Sequence, residues 1–406
     1  MSGDDEKHGS LHRDHVQSLT ALERRNRLRK LAPRQGYDFS SNDYLGYANC
    51  DALRKAIVAA VDRGVPIGSG GSRLLRGNDP EHEALEAEAA EFFGADAVLF
   101  FASGFAANTA VFATLPQRGD LIVHDNLIHA SAHDGMRLSR APSVAARHND
   151  PEAFEDAIAA WRADGGTGRP WIAVESLYSM DGDVAPLDDL ISIAEAHDGM
   201  LLIDEAHATG VLGPGGRGLG AHLEGRPEVL TLHTCGKALG AMGGLVCGPR
   251  VLIEFLINRC RPFIYSTAPS PLMASAVRAA LDLVKSDPGE GSESCRWHHQ
   301  KLVQKTGELL GEHCGLVVPG THIIPVVVGK DELAVRLAKA MQMRGFDVRA
   351  IRPPTVPEGS ARLRVPITMN VDEAVVAEFA GALAEELDQD DFRNVERGVA
   401  STREAS

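Results

Sequence analysis

Several features that would classify a chain quickly are missing here. No stretch reaches the roughly 18 consecutive apolar residues of a membrane span, and residues 1–10 are charged and polar without the apolar run of a secretion signal. The six cysteines (Cys50, Cys235, Cys247, Cys260, Cys295, Cys314) show no C-x-x-C spacing, so neither a zinc knuckle nor a disulfide framework is indicated. They read as reduced thiols, which places the protein in the cytoplasm. Positive charge is in deficit: 41 Lys and Arg stand against 56 Asp and Glu, a net charge of −15. Such a field repels nucleic acid and anionic membranes unless a local patch overrides it. The glycine-rich Gly68-Ser-Gly-Gly-Ser72 is not a nucleotide fingerprint, because no strand immediately precedes it and no Gly-Lys-Ser follows. It could be plain linker. No internal repeat is visible.

What is present is an ordinary apolar content, 44%, arranged in alternation. Residues 1–10 read as a disordered tip. Between Asp14 and Leu31, Val16, Leu19, Leu22 and Leu28 recur at helical spacing among Arg24, Arg25, Arg27, Arg29 and Lys30. That basic face is either simply solvated or a positive patch for an anionic substrate handle. Helices are expected at about 51–63 and from Pro80 to Gly94, with the Arg73-Leu-Leu-Arg-Gly-Asn78 motif before the second.

Short apolar strands then follow at Ala97–Phe101, Leu121–His124, Trp171–Glu175, Met200–Ile203 and Val229–Leu232, with helices between them, including one from Leu187 to His197. Alternation of this kind implies βαβ units and a mostly parallel sheet buried on both faces. Residues 285–300 turn polar and glycine-rich, as a hinge region would. Beyond them a helix near Lys301–Leu310, strands at Thr321–Val328 and Val348–Ile351, and helices at Glu332–Arg344 and Val371–Leu387 are enough for a smaller α/β domain. The expected division is 1–40, 41–285, 286–390 and a tail 391–406, with the charged residues from Asp388 onward frayed.

Ligands of parallel sheets sit outside the carboxyl ends of the strands. There the sequence sets Ser103-Gly104-Phe105, then Asp125 to His129, then Glu175, Ser176 and Ser179, then Asp204 to His207, then Thr234 to Lys237. A lysine among small residues (Cys235, Gly236, Ala238) can form a Schiff base with a carbonyl cofactor, or can be a phosphate contact or a surface residue. Asp204, at the end of a buried strand, needs a cationic or protonated partner: a pyridinium nitrogen, a metal or an arginine. His129 and His133 at helical spacing could join Asp204 around a metal, although the glutamate of a zinc-protease motif is absent. Ser103 to Phe105 at a strand-to-helix turn is either a phosphate cradle or an ordinary N-cap. One ligand answers all of them: pyridoxal 5′-phosphate, with an aldehyde, a protonated ring nitrogen, a flat ring and a phosphate.

The motifs Ser41-Asn-Asp-Tyr-Leu-Gly46, Ser103-Gly-Phe-Ala-Ala-Asn108, Glu175-Ser-Leu-Tyr-Ser-Met-Asp-Gly-Asp183, Asp204-Glu-Ala-His-Ala-Thr-Gly210, Thr234-Cys-Gly-Lys237 and Ile351-Arg-Pro-Pro-Thr-Val-Pro357 with Arg362-Leu-Arg364 resemble those of the α-oxoamine synthase family. The resemblance runs from about residue 37 to 387. It implies the α/β architecture of a fold-type I pyridoxal-phosphate transferase: a large, mostly parallel seven-stranded sheet domain and a smaller C-terminal α/β domain. It also implies roles. Lys237 is similar to the Schiff-base lysine, Asp204 to the partner of the ring nitrogen and His129 to the histidine stacked on the ring. His207 and Ser179 resemble residues near the phenolic oxygen, and Gly104, Phe105 and Thr234 match phosphate contacts. Ser266 and Thr267 resemble a pair reaching the phosphate of the neighbouring subunit, which implies a homodimer with a shared site. Asn42 and Arg352 resemble residues that hold the amino-acid carboxylate. The segment from Ile351 to Arg364 points to the branch that condenses L-alanine with a pimeloyl thioester of coenzyme A or acyl carrier protein. Glycine- or serine-using relatives, and a non-catalytic cofactor-binding regulator, are the alternatives.

Overall fold

The computed structural model describes residues 11–389 and Phe392. The expected disordered tip and most of the expected tail lie outside the described residues. The chain forms two compact units. Asn42–Lys301 with Thr368–Asn370 make the large one; the small one takes the residues up to Ser41, Leu302–Ile367 and those from Val371 onward. The division therefore falls sixteen residues later than the polar stretch suggested, and the N-terminal segment belongs to the small unit. The polar stretch is a closed turn instead, knotted on Asp287, whose carboxylate accepts from Gly289 N (2.8 Å) and Ser294 Oγ (2.6 Å).

The large unit is built on seven strands: β1 (Ala97–Phe101), β2 (Leu121–Asp125), β3 (Ser143–Ala146), β4 (Pro170–Glu175), β5 (Met200–Asp204), β6 (Val229–Thr234) and β7 (Gly244–Gly248). They lie in the order β1-β7-β6-β5-β4-β2-β3. Only β7 runs antiparallel to its neighbours. Every residue of β1, β2, β4, β5, β6 and β7 is buried, as a sheet covered by helices on both faces requires. One face packs Leu99, Ile122, Ala173, Leu202 and Leu232 under helices Gly104–Thr114 and Arg250–Arg259. The other packs Val123, Ile172, Leu201 and Ile203 under helices Pro151–Ala163 and Leu187–Ala196.

β3 and β7 were not anticipated. β3 is a four-residue edge strand exposed along most of its length, and β7 begins and ends on glycine. Its first residue, Gly244, and Gly243 just before it are structural. A Cβ at Gly244 would lie 2.8 Å from Ser103 O, and one at Gly243 would lie 2.3 Å from the Phe100 ring, so only glycine lets β7 seat against the end of β1.

In the small unit, β8 (Ile323–Gly329), β9 (Arg349–Ile351) and β10 (Ala361–Pro366) form an antiparallel sheet in the order β9-β10-β8. Helices Asp331–Met343 and Glu373–Leu387 cover it around Val326, Leu337, Leu363 and Phe379. Phe39 stacks on Phe379 with ring centroids 4.2 Å apart, which ties the N-terminal segment into this core. The basic helix is shorter than expected, Arg13–Arg24, and buries none of its residues. Asn26, at φ 56°, turns the chain out of the helix. No helix among the described residues is long and apolar enough to cross a membrane.

Candidate active site

Because β1, β2, β4, β5 and β6 run parallel, their carboxyl ends share one edge of the sheet, and the chemically distinctive side chains gather there. Asp204 ends β5 and is 5% exposed. Its Oδ1 accepts from Ala206 N (2.9 Å) and its Oδ2 from Asn108 Nδ2 (2.6 Å). Asn108 comes one helical turn after Gly104, so the helix that presents Ser103 and Gly104 also orients this carboxylate. Glu175 is Asp204's register partner on β4. Burial, with the Asp204 carboxylate beside it, pushes its acid up to about 8. Its Oε2 accepts from Ser179 N (3.1 Å) while Oε1 is buried without a hydrogen-bond partner.

Lys237 follows β6, and its Nζ is 2.7 Å from His207 Nε2. The other ring nitrogen, Nδ1, is 2.6 Å from Tyr44 Oη, and Tyr44 Oη is 3.2 Å from Asn42 Oδ1. His129 caps helix Ala130–Leu138, its Nδ1 accepting from Ser131 N (3.3 Å). Burial lowers its pKa, an effect the Asp204 charge opposes and the Lys237 charge reinforces, so its ring is neutral at pH 7. Phe105 stands edge-on to it at 6.4 Å.

Ser103 caps helix Gly104–Thr114 by accepting from Ala106 N (3.1 Å). Thr234 lies against that helix start; a Cβ at Gly104 would come within 3.2 Å of its Oγ1. The free N–H groups of a first helical turn, beside a threonine hydroxyl and with no side chain at Gly104, form a cradle for an anion. Ser266 and Thr267 lie on an exposed turn after Phe263. Arg352 is in the small unit, where it borders a cavity of about 230 Å³ with Arg27 and Arg29. His133 packs edge-on to His124 with centroids 5.0 Å apart, and among the described residues no group of His, Cys, Asp or Glu is arranged to hold a metal ion.

Two contributors escaped the sequence reading. Asn108 was quoted only as part of a motif, although its position four residues after Gly104 was the available signal. His148 carried none. It lies between Asp125 at the end of β2 and Asp183 at the end of the Glu175–Asp183 loop: Nδ1 is 2.9 Å from Asp125 Oδ1 and Nε2 is 2.6 Å from Asp183 Oδ2. Burial alone would lower its pKa, but the two carboxylates outweigh burial and raise it to about 10. This imidazolium ties the loop leading to His129 to the loop carrying Ser179.

A buried carboxylate, a lysine amine, a neutral imidazole and a helix-start anion cradle at one sheet edge define a fold-type I pyridoxal-phosphate enzyme. Residues 34–383 match the family described as Aminotransferase class I and II, and the chain belongs to that family. Within it, the chain is 41% identical over 363 residues to an 8-amino-7-oxononanoate synthase of Chromobacterium violaceum, covering 86% of this chain and 92% of that protein. It is 42% identical over 383 residues to one from Anaeromyxobacter dehalogenans, covering 91% and 93%. Among solved structures it superimposes on a Sphingomonas wittichii serine palmitoyltransferase at 27% identity and a TM-score of 0.79, covering 86% of each chain. The 8-amino-7-oxononanoate synthase of Francisella tularensis matches at 28% identity and a TM-score of 0.71, covering 87% of this chain and 98% of that one. The cofactor is pyridoxal 5′-phosphate, and the residues fit it: the Gly104 cradle suits the phosphate, Asp204 a protonated ring nitrogen, and Lys237 the aldehyde.

Proposed function

We propose that the protein condenses L-alanine with a pimeloyl thioester, carried by coenzyme A or acyl carrier protein, to 8-amino-7-oxononanoate. Carbon dioxide and the free thiol carrier are released, in the biotin pathway of the cytoplasm, by a homodimer with a shared site. The observation that carries this reading is Lys237 within hydrogen-bond reach of His207 at the sheet edge that also presents Asp204 and His129. When bound, the cofactor supplies an electron sink for the negative charge that develops at the amino acid's α-carbon.

The chain's own residues do the rest. Lys237 Nζ holds and moves the α-proton, with His207 Nε2 positioned to share its hydrogen bond. Asp204, aimed by Asn108, keeps a proton on the ring nitrogen. His129, neutral and fixed by Ser131, offers a flat apolar face. Ser103, Gly104, Phe105 and Thr234 take the phosphate, joined by Ser266 and Thr267 of the neighbouring subunit. Ser179 and His207 meet the phenolic oxygen, and Asn42 and Arg352 take a carboxylate.

A specific observation adds a second role for Arg352: with Arg27 and Arg29 it borders one cavity. Clustered guanidinium groups suit the far carboxylate of a dicarboxylic acyl donor. The exposed basic residues Arg24, Arg25 and Lys30 suit an acidic acyl carrier protein.

The test is incubation of the holoenzyme with alanine, glycine or serine and a pimeloyl thioester, with mass analysis of the product and trapping of carbon dioxide. Release dependent on both alanine and thioester, with a product of the expected mass, supports the reading. A product from serine or glycine alone transfers the assignment to another α-oxoamine synthase, a rival kept in view by the serine palmitoyltransferase likeness. No thioester-dependent release leaves a cofactor-binding regulator.

A further inference from the structure

The glycine-rich segment 68–72 and the Arg73–Asn78 motif take no part in the site described above, yet they are not linker. They are folded against the turn Phe263–Ser270 by a dense set of bonds. Ala268 N donates to Gly71 O (2.9 Å), Ser69 Oγ to Pro269 O (2.6 Å), and Ser270 Oγ to Ile67 O (2.6 Å). A Cβ at Gly77 would lie 2.1 Å from Gly71 O, so the segment closes on itself with no room for a side chain there.

Two residues brace this strap. Arg73 makes a fork to Glu86 (2.7 and 2.9 Å), donates from Nε to Asn78 Oδ1 (2.6 Å), and stands 5.9 Å from the centre of the Phe263 ring. Glu86 Oε1 also accepts from Phe100 N (2.9 Å), which roots the strap in β1. His82 accepts from Asp79 N at Nδ1 (3.2 Å), so the proton lies on Nε2, which donates to Pro269 O (2.8 Å). The turn so held presents Tyr265, Ser266 and Thr267 outward.

A largely buried Arg–Glu pair adds little net stability, because desolvation offsets the attraction; its clearest yield is geometry. Two hydroxyl-bearing residues on a free turn would also have to be ordered on meeting a phosphate, which costs affinity. We propose that Arg73 and His82 are positioning residues. Through the strap they hold Ser266 and Thr267 in place to bind the cofactor phosphate of the neighbouring subunit. The proposal rests on the reading of a homodimer with Ser266 and Thr267 acting across its interface.

Hybrid dimers purified through two different tags test it. In one pairing, Arg73→Ala is in the chain that keeps Lys237 and the partner chain carries Lys237→Ala. In the other, Arg73→Ala and Lys237→Ala share one chain and the partner is wild type. Each hybrid has a single lysine-linked cofactor, whose visible absorbance reports its dissociation constant. The expected result is cofactor binding weakened about ten-fold or more in the second pairing and unchanged in the first, with melting temperatures equal. Weakening in both pairings, in the first alone, or in neither overturns the proposal. Arg73→Lys and His82→Gln, run in the same two pairings, replace Arg73→Ala if that chain does not fold, and Arg73→Lys should recover part of the affinity. Light scattering of the wild-type enzyme separates the premise from the proposal: a monomer overturns both, whereas a dimer with no pairing effect overturns the strap alone.

Discussion

Lys237 Nζ and His207 Nε2 are 2.7 Å apart, and that contact sets the direction of a hydrogen-bonded chain. The ammonium donates to Nε2, so Nδ1 carries the ring proton and donates to Tyr44 Oη at 2.6 Å; the phenol then donates to Asn42 Oδ1 at 3.2 Å. On the proposed reading, Lys237→Ala removes the covalent anchor and the proton carrier together. Turnover should fall by at least about 10²–10⁴, the span of a lost general acid–base group. The folded protein should still take up cofactor without covalent attachment. Steady-state rates and reduction with borohydride followed by mass analysis check both halves, and full activity in the variant sinks the assignment.

Tyr44→Phe leaves lysine and histidine in place and removes the group that receives the His207 proton and donates to Asn42. One hydrogen bond is worth about 0.5–1.5 kcal/mol, so kcat should drop roughly three- to ten-fold. KM for alanine should move less, because Tyr44 fixes the His207 tautomer directly and reaches the amino acid only through Asn42. A kcat loss matched by an equal loss of melting temperature in His207→Asn, with no change in the pH profile of either variant, would reduce the chain to a structural contact.

The His148 bridge makes stability depend on pH in a definable window. Its folded pKa is raised to about 10 by Asp125 and Asp183, against about 6.5 for an unfolded histidine. The folded state thus holds a proton that the unfolded state releases. The contribution is fully present below about pH 6.5 and is lost as pH rises towards 10. On the acid side burial would raise Asp125, but the His148 hydrogen bond outweighs it and the pKa is lowered, so that contribution vanishes as Asp125 protonates. The gap in melting temperature between wild type and His148→Gln should be widest near pH 6 and close on approaching pH 10. A gap constant across that range contradicts the bridge.

Helices Gly104–Thr114 and Ala130–Leu138 start at the proposed phosphate cradle and at His129, so their packing distance is a dimension of the proposed site. Gly135 sets it: a Cβ there would lie 2.7 Å from Phe112 Cβ and 3.0 Å from Thr109 O. Gly135→Ala should destabilise by about 1–3 kcal/mol, the range for overpacking. It should also weaken cofactor binding by moving the two helix starts apart, and denaturant titration with cofactor titration reads the two effects. The same substitution at Gly165, which has open space around it but φ 90°, tests backbone strain without crowding.

How much of this was legible depended on whether a residue's role is set along the chain or across it. β4 and β5 are mostly apolar because both faces of the sheet are covered, Asp204 closes β5, and Lys237 comes three residues after β6. The distinctive residues at strand ends could therefore be read in order. β7 was hidden because its glycines are chosen by the neighbouring Ser103 and Phe100 rather than by its own pattern. Asn108, Tyr44 and His148 owe their roles to Asp204, His207 and Asp183, each distant in sequence, and spacing carries no trace of those meetings. The glycines near Lys237 illustrate the limit. A Cβ at Gly240 would lie 2.4 Å from Ala48 N. Protein packing is sufficient reason for that glycine.

Arg352 offers the sharpest division between two kinds of carboxylate. Burial first, then the charge of Arg29, lower its pKa; Asp331 opposes the shift and Arg27 adds to it. Arg27 already has Asp331 and Glu358 at 2.6 Å each, whereas Arg29, among the described residues, donates to the neutral Thr355 hydroxyl at 3.1 Å. An incoming carboxylate would therefore be shared by Arg29 and Arg352. If it belongs to the acyl donor, Arg29→Gln should raise KM for a pimeloyl thioester by roughly ten-fold, about 1.4 kcal/mol. KM for alanine should stay unchanged, and a donor of equal length ending in a methyl group should not distinguish wild type from variant. If it belongs to the amino acid, Arg352→Gln should raise KM for alanine and leave the preference between the two donors intact. Parallel KM measurements on the two variants with both donors separate these outcomes, because a shared loss of folding would lower kcat with every substrate and shift neither ratio.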